Sequence, residues 1–141
     1  MTIRRIAAVY AMLVGAAMIG LWTALLLTGE VPELETNPLE IGYHLVAEFL
    51  TGIALVVSGA GLWRGRRWAE RVFTVALGML LYTVINSAGY YADLGEGAMV
   101  GVFTGLTALT VMLVWTSVTR PALFDVTEAE SRVEMSAERA D

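Results

Sequence analysis

Apolar positions in this chain gather into four blocks, at about residues 6–28, 43–63, 69–91 and 98–118, divided by short charged segments. Each block is close to the ~20 residues an α-helix needs to cross ~30 Å of hydrocarbon. The pattern predicts an all-α fold, a four-helix transmembrane bundle over residues 1–120, followed by an acidic tail over 121–141. The first block is too long for the apolar region of a signal peptide and lacks a clean small-x-small cleavage site, so it reads as a retained span.

The charged segments give the bundle a direction. Arg4 and Arg5 precede the first span, Arg64, Arg66, Arg67 and Arg71 surround the turn between the second and third, and Arg120 follows the fourth. The two other connections carry Glu30, Glu33, Glu35, Glu40, Asp93 and Glu96 and no basic residue. Loops rich in Lys and Arg stay on the cytoplasmic side. Both termini are therefore expected in the cytoplasm and both acidic loops outside. Trp63 and Trp68 flank the arginine turn, and Tyr43, Tyr90 and Tyr91 lie at outer span ends, where amphipathic rings favour the interface.

Small residues mark where helices can approach closely, because apolar side chains gain little by exchanging lipid for protein. Ala11, Gly15, Ala16 and Gly20 offer such positions on the first span, and Gly52 and Gly59 on the second. The fourth carries Gly97, Gly101 and Gly105, two overlapping GxxxG steps with Ala108 near the same face. These glycines fit either packing inside one bundle or a homodimer through the Gly97, Gly101 and Gly105 seam.

Polar residues inside the spans are the candidate chemistry. Glu48 is a carboxylate in an apolar run, costly unless it is paired, protonated or in contact with water. The only histidine, His44, precedes it by one helical turn, about 40° away around the axis. The third span carries Tyr82, Asn86 and Tyr90 at successive i+4 steps. Glu48, Asn86, Thr23 and Thr104, one on each span, all fall roughly 8 Å inside the outer boundary at 1.5 Å per residue. This common depth predicts a polar layer opening outward, with Tyr82 deeper and His44 and Tyr90 shallower. The competing reading is structural: threonines that bond their own helix carbonyls, an amide and a carboxylate that fix helix register, and tyrosines that anchor at the interface.

Such a layer suits a small ligand, a lipid or quinone headgroup, or an ion, which needs an apolar cavity with a few convergent polar groups; Trp22 and Phe49 are candidate walls. His44 and Glu48 are also a candidate metal pair, though two ligands fall short of a closed zinc site. One histidine excludes bis-histidine haem within a single chain. Two further readings remain. The chain fits an accessory subunit of a larger membrane complex, its polar layer purely structural, or a proton- or cation-coupled carrier working through Glu48. Small multidrug transporters also use one membrane glutamate, but their pattern is not otherwise visible.

Composition narrows the classes. At 57% hydrophobic residues and a mean hydropathy of +0.65, the chain is too apolar for an ordinary soluble domain of 141 residues. It has no cysteine, which removes disulfides, thiolate metal sites and dithiol chemistry. No serine nucleophile with a base, phosphate loop or metalloprotease helix marks a reaction, so the reading leans away from an enzyme. Cofactors are not specified, and nothing points to nucleic acid. The turn Gly65, Arg66, Arg67, Trp68, Ala69 is similar to that of many small bacterial four-span proteins and carries no particular function; the expected location is a prokaryotic plasma membrane, hinted at by a basic set that is arginine only.

Overall fold

The structure, a computed structural model, describes residues 2–124. It is all-helical, and among the described residues there is no strand. Four long helices, α1 (Ile3–Thr28), α3 (Pro38–Trp63), α4 (Ala69–Asp93) and α5 (Gly97–Thr119), are each long and apolar enough to cross a membrane. A one-turn helix α2 (Glu33–Thr36) sits in the first connection, and a 3₁₀ turn (Pro121–Leu123) follows α5. Most of the expected tail lies outside the described residues.

Local sequence explains the boundaries. α1, α3 and α4 are each followed by a glycine in the left-handed conformation, Gly29, Gly65 and Gly95. At each, the next amide returns to a carbonyl five residues back: Glu30 to Leu25, Arg66 to Gly61 and Glu96 to Tyr91. This closure satisfies carbonyls that a helix end leaves orphaned, and glycine adopts it without a Cβ penalty. α3 starts at Pro38, five residues before the expected span. Proline suits the first helical turn, where its missing N–H is not needed, and Asn37 accepts the amide of Ile41. Leu39 and Glu40 therefore extend the helix beyond the apolar run.

The long helices pack in the order α1, α3, α4, α5, and each runs antiparallel to its neighbour. Thr2, the 64–68 turn and Arg120 share one end, here the arginine end. The 29–37 and 94–96 connections share the other, the acidic end. α1 and α3 meet almost backbone to backbone. A Cβ built on Gly15 would lie 2.6 Å from the Gly52 carbonyl oxygen, and one on Gly59 would lie 2.8 Å from that of Ala8. Ala11, Gly15, Gly52 and Gly59 thus serve packing within one chain, whereas Ala16 is exposed and a Cβ on Gly20 meets nothing within 4 Å. Gly97, Gly101 and Gly105 do not serve it either, since a Cβ on any of them meets nothing within 4 Å.

Burial is uneven along the bundle. The buried residues of α1 are Ala7, Ala8, Ala11 and Gly15, and those of α5 are Thr110, Leu113 and Ser117. All lie in the arginine half, around the fully buried Phe73, which packs on Phe124 beyond the 3₁₀ turn at 5.9 Å between ring centroids. There α1 and α5 are latched: Tyr10 Oη lies 2.8 Å from Thr110 Oγ1. Thr110 donates its own proton to Leu106 O, so Tyr10 is the donor. Toward the acidic end the inward residues of both helices, among them Met18, Trp22, Phe103 and Leu106, are only half-buried. The bundle is tight at the arginine end and loose at the acidic end.

Candidate functional site

Glu48 is buried in the loose half, with 5% of its surface exposed, as are Val31, Thr83 and Val84. It shares the inward face of α3 with Thr51, Leu55, Ser58 and Leu62, all buried. Because α3 begins at Pro38, Glu48 is ten residues from the helix start (48 − 38), or about 15 Å along the axis. Trp22 of α1 donates its indole N–H to Glu48 Oε2 at 3.3 Å. His44 Nε2 is 3.7 Å from Glu48 Oε1, within ion-pair range but too long for a hydrogen bond. The Trp22 and His44 rings meet edge to face, with centroids 5.5 Å apart. Glu48 Oε1 is enclosed and has no hydrogen-bond partner. His44, 29% exposed at the side chain, stands between that oxygen and the acidic end.

The other sequence candidates are placed elsewhere. Tyr82 and Tyr90 are 66% and 54% exposed, and Asn86 is exposed with them. Their stripe is on the side of α4 turned away from its buried residues Phe73, Ala76, Leu77, Leu80, Thr83 and Val84. The residues α4 turns inward near the acidic end are Ser87 and Tyr91, both half-buried; Tyr91 stacks on Phe103 of α5, centroids 5.5 Å apart. Thr23 is exposed and donates to Ile19 O at 2.6 Å, and Thr104 is exposed. Within one chain, then, Glu48 and His44 come together with Trp22, while Asn86, Tyr82, Tyr90, Thr23 and Thr104 lie on the outer surface of the bundle. Equal depth did not bring equal direction, because depth follows from residue count and direction from which face of each helix is buried.

Two polar contacts carry little sequence signal. The Trp22 donor has one: an indole inside the first span near the depth of Glu48. The Tyr10 and Thr110 latch has none, since the partners are 100 positions apart and threonines recur throughout α5. As for metals, the described residues contain no group of three or more His, Cys, Asp or Glu able to hold an ion. His44 and Glu48 supply two donors. A groove of about 220 Å³ between α4 and α5, lined by Leu81, Val111, Val114, Trp115 and Val118, is apolar and is lined by no residue of α1 or α3.

Residues 1–125 match the family described as Domain of unknown function (DUF8058). The chain belongs to the DUF8058 family. No curated protein and no solved structure matches it. The family match spans every helix among the described residues of this DUF8058 protein, the Trp22, His44 and Glu48 cluster, and the Phe124 contact that closes the arginine end.

Proposed function

We propose that this is an integral protein of a prokaryotic plasma membrane, with both termini and the 64–68 turn in the cytoplasm. It binds a small ligand, headgroup or ion at Glu48, reached from the outer, acidic end. The orientation is supported by where the arginines sit on their helices. Arg4, Arg5 and Arg71 occupy the first turns of α1 and α4, where the helix dipole disfavours a positive charge. Local helix energetics do not explain arginines there, whereas membrane sidedness does.

The binding reading rests on one observation: Oε1 of Glu48 is enclosed and lacks a hydrogen-bond partner. A buried acceptor left unpaired costs ~1–3 kcal/mol, more if charged. A protein that needed Glu48 only to fix helix register would satisfy both oxygens. Here one is held by Trp22, and the other is covered by a half-exposed imidazole that does not bond it. Native mass spectrometry after extraction in a mild detergent tests the reading. Wild type should carry a small adduct that Glu48→Gln lacks; bare protein in both samples sinks it. A carrier would need Glu48 to reach both sides, and the packed arginine half lies between it and that end.

A second reading is favoured by the open glycines of α5. Gly97, Gly101 and Gly105 would let another membrane helix approach, either from a second copy or from a larger complex for which this chain is an accessory subunit. Light scattering in detergent separates the cases. Gly101→Leu should lower the mass of any assembly built on α5, and a wild-type monomer with no partner counts against this reading.

A further inference from the structure

We infer that the group bound at Glu48 is an ammonium, carried by a soluble organic amine or by an aminophospholipid headgroup. This rests on the binding reading above and specifies its ligand. Three independent features point the same way.

The first is charge. No lysine or arginine occurs between Arg5 and Arg64, or between Arg71 and Arg120. Every basic group among the described residues except His44 is therefore at the arginine end. Glu30, Glu33, Glu35, Glu40, Asp93 and Glu96 surround the acidic end. A mouth lined by one sign of charge concentrates the opposite ion and repels its own. Anionic ligands are disfavoured at this end, and the chain offers Glu48 no fixed positive partner.

The second feature is the free acceptor. Trp22 already uses Glu48 Oε2, and Oε1, 3.7 Å from His44 Nε2, is enclosed with no hydrogen-bond partner. A ligand with donors or positive charge fits that oxygen; one with only acceptors would be repelled by it. The third is the wall. Trp22 and His44 form an edge-to-face pair at 5.5 Å beside the carboxylate. An ammonium favours an indole face together with an anion, the combination that recognises choline-like groups, with Trp the strongest aromatic partner. Rotation of the His44 side chain toward the acidic end uncovers Oε1 and leaves Trp22 as the wall. A metal ion would instead demand further ligands, and the described residues contain no group of three or more His, Cys, Asp or Glu placed to hold one.

Two arms test the inference on the full chain. In the first, choline is titrated calorimetrically into protein in maltoside micelles beside its uncharged isostere, 3,3-dimethylbutanol. Choline should bind saturably and the isostere should not; Glu48→Gln should weaken choline by about tenfold or more. In the second, protein is reconstituted with an equal mixture of phosphatidylethanolamine and phosphatidylglycerol, and the lipid retained in native mass spectrometry is identified. Selective retention of the amine lipid, lost in Glu48→Gln, assigns the headgroup as the source; a signal in the first arm alone assigns a solute. If Glu48→Gln does not fold, Trp22→Leu serves, with choline or amine-lipid binding weaker by about threefold or more. Blank results in both arms, or an isostere bound as well as choline, overturn the ammonium assignment. A neutral or anionic adduct absent from Glu48→Gln would then leave the binding reading standing, and no adduct at all would remove both.

Discussion

Gly15→Ala is the sharpest test of how this bundle is held together. The added methyl would lie 2.6 Å from the Gly52 carbonyl oxygen, 2.9 Å from Leu55 Cβ and 3.0 Å from Val56 Cγ2. Favourable separations between carbons are about 3.5–4.0 Å, so roughly half an ångström or more must be absorbed. The nearest atom is backbone and cannot rotate aside, so α1 and α3 must separate or slide. A radial gap of 0.5–1 Å forfeits about a quarter to a half of each contact it opens. The loss extends to Gly59 against Ala8 and Gly52 against Ile19, which share the seam. Overpacking of this kind costs about 1–3 kcal/mol, or roughly 5- to 150-fold in the folded population. Gly20→Ala is the internal control, on the same helix with nothing within 4 Å. There, removing a helical glycine is neutral or stabilising by up to ~1 kcal/mol. Unfolding in mixed micelles, titrated with a denaturing detergent and followed by helical circular dichroism, should place Gly15→Ala well below wild type and Gly20→Ala at or above it. Two variants within about 0.5 kcal/mol of each other would refute backbone contact as the basis of the α1 and α3 pairing.

Other outcomes follow from the same geometry. Tyr10→Phe should destabilise the bundle by about 0.6 kcal/mol, the average for hydrogen bonds between membrane helices. Adding Thr110→Val should change little more, which a double-mutant cycle would read. Phe124→Ala should cost about 3 kcal/mol in the same unfolding titration, since it removes a buried ring from Phe73. With no native cysteine to remove, Glu35→Cys and Arg66→Cys report sidedness directly. An impermeant maleimide should label the first in intact cells and the second only after lysis; the reverse pattern would invert the proposed orientation.

The spans were legible because each apolar run is bounded by charges, and a run of that length leaves one architecture open. The extra turn of α3 was not, since Leu39 and Glu40 read as loop until Pro38 is recognised as a helix start. Gly15, Gly52 and Gly59 were legible as packing positions, for a missing side chain matters only where something approaches, but Gly20 on the same helix as Gly15 meets nothing. The α5 glycines show the limit of that reading: the same spacing meets nothing within the chain. On α4 the sequence offers two polar stripes, Tyr82, Asn86 and Tyr90 on one side and Ser87 and Tyr91 on the other. Only the burial of Phe73, Leu77 and Leu80 decides that the second faces inward. The pairing of Glu48 with His44 followed from one-turn spacing on a single helix. Its partner Trp22 required knowing that α1 packs on α3.

The uneven tightness of the bundle has a mechanical consequence. α1 and α3 are locked by backbone contact, α4 and α5 are joined by a three-residue turn, and the two pairs are held to each other most firmly around Phe73 and the Tyr10 latch. That arrangement is a pair of levers with its fulcrum near the arginine end. α4, at 25 residues, is about 37 Å long, so a tilt of only ~5° about the 64–68 turn sweeps its far end through about 3 Å. Small adjustments of one pair against the other would be amplified where Glu48 sits, while the fulcrum stays packed.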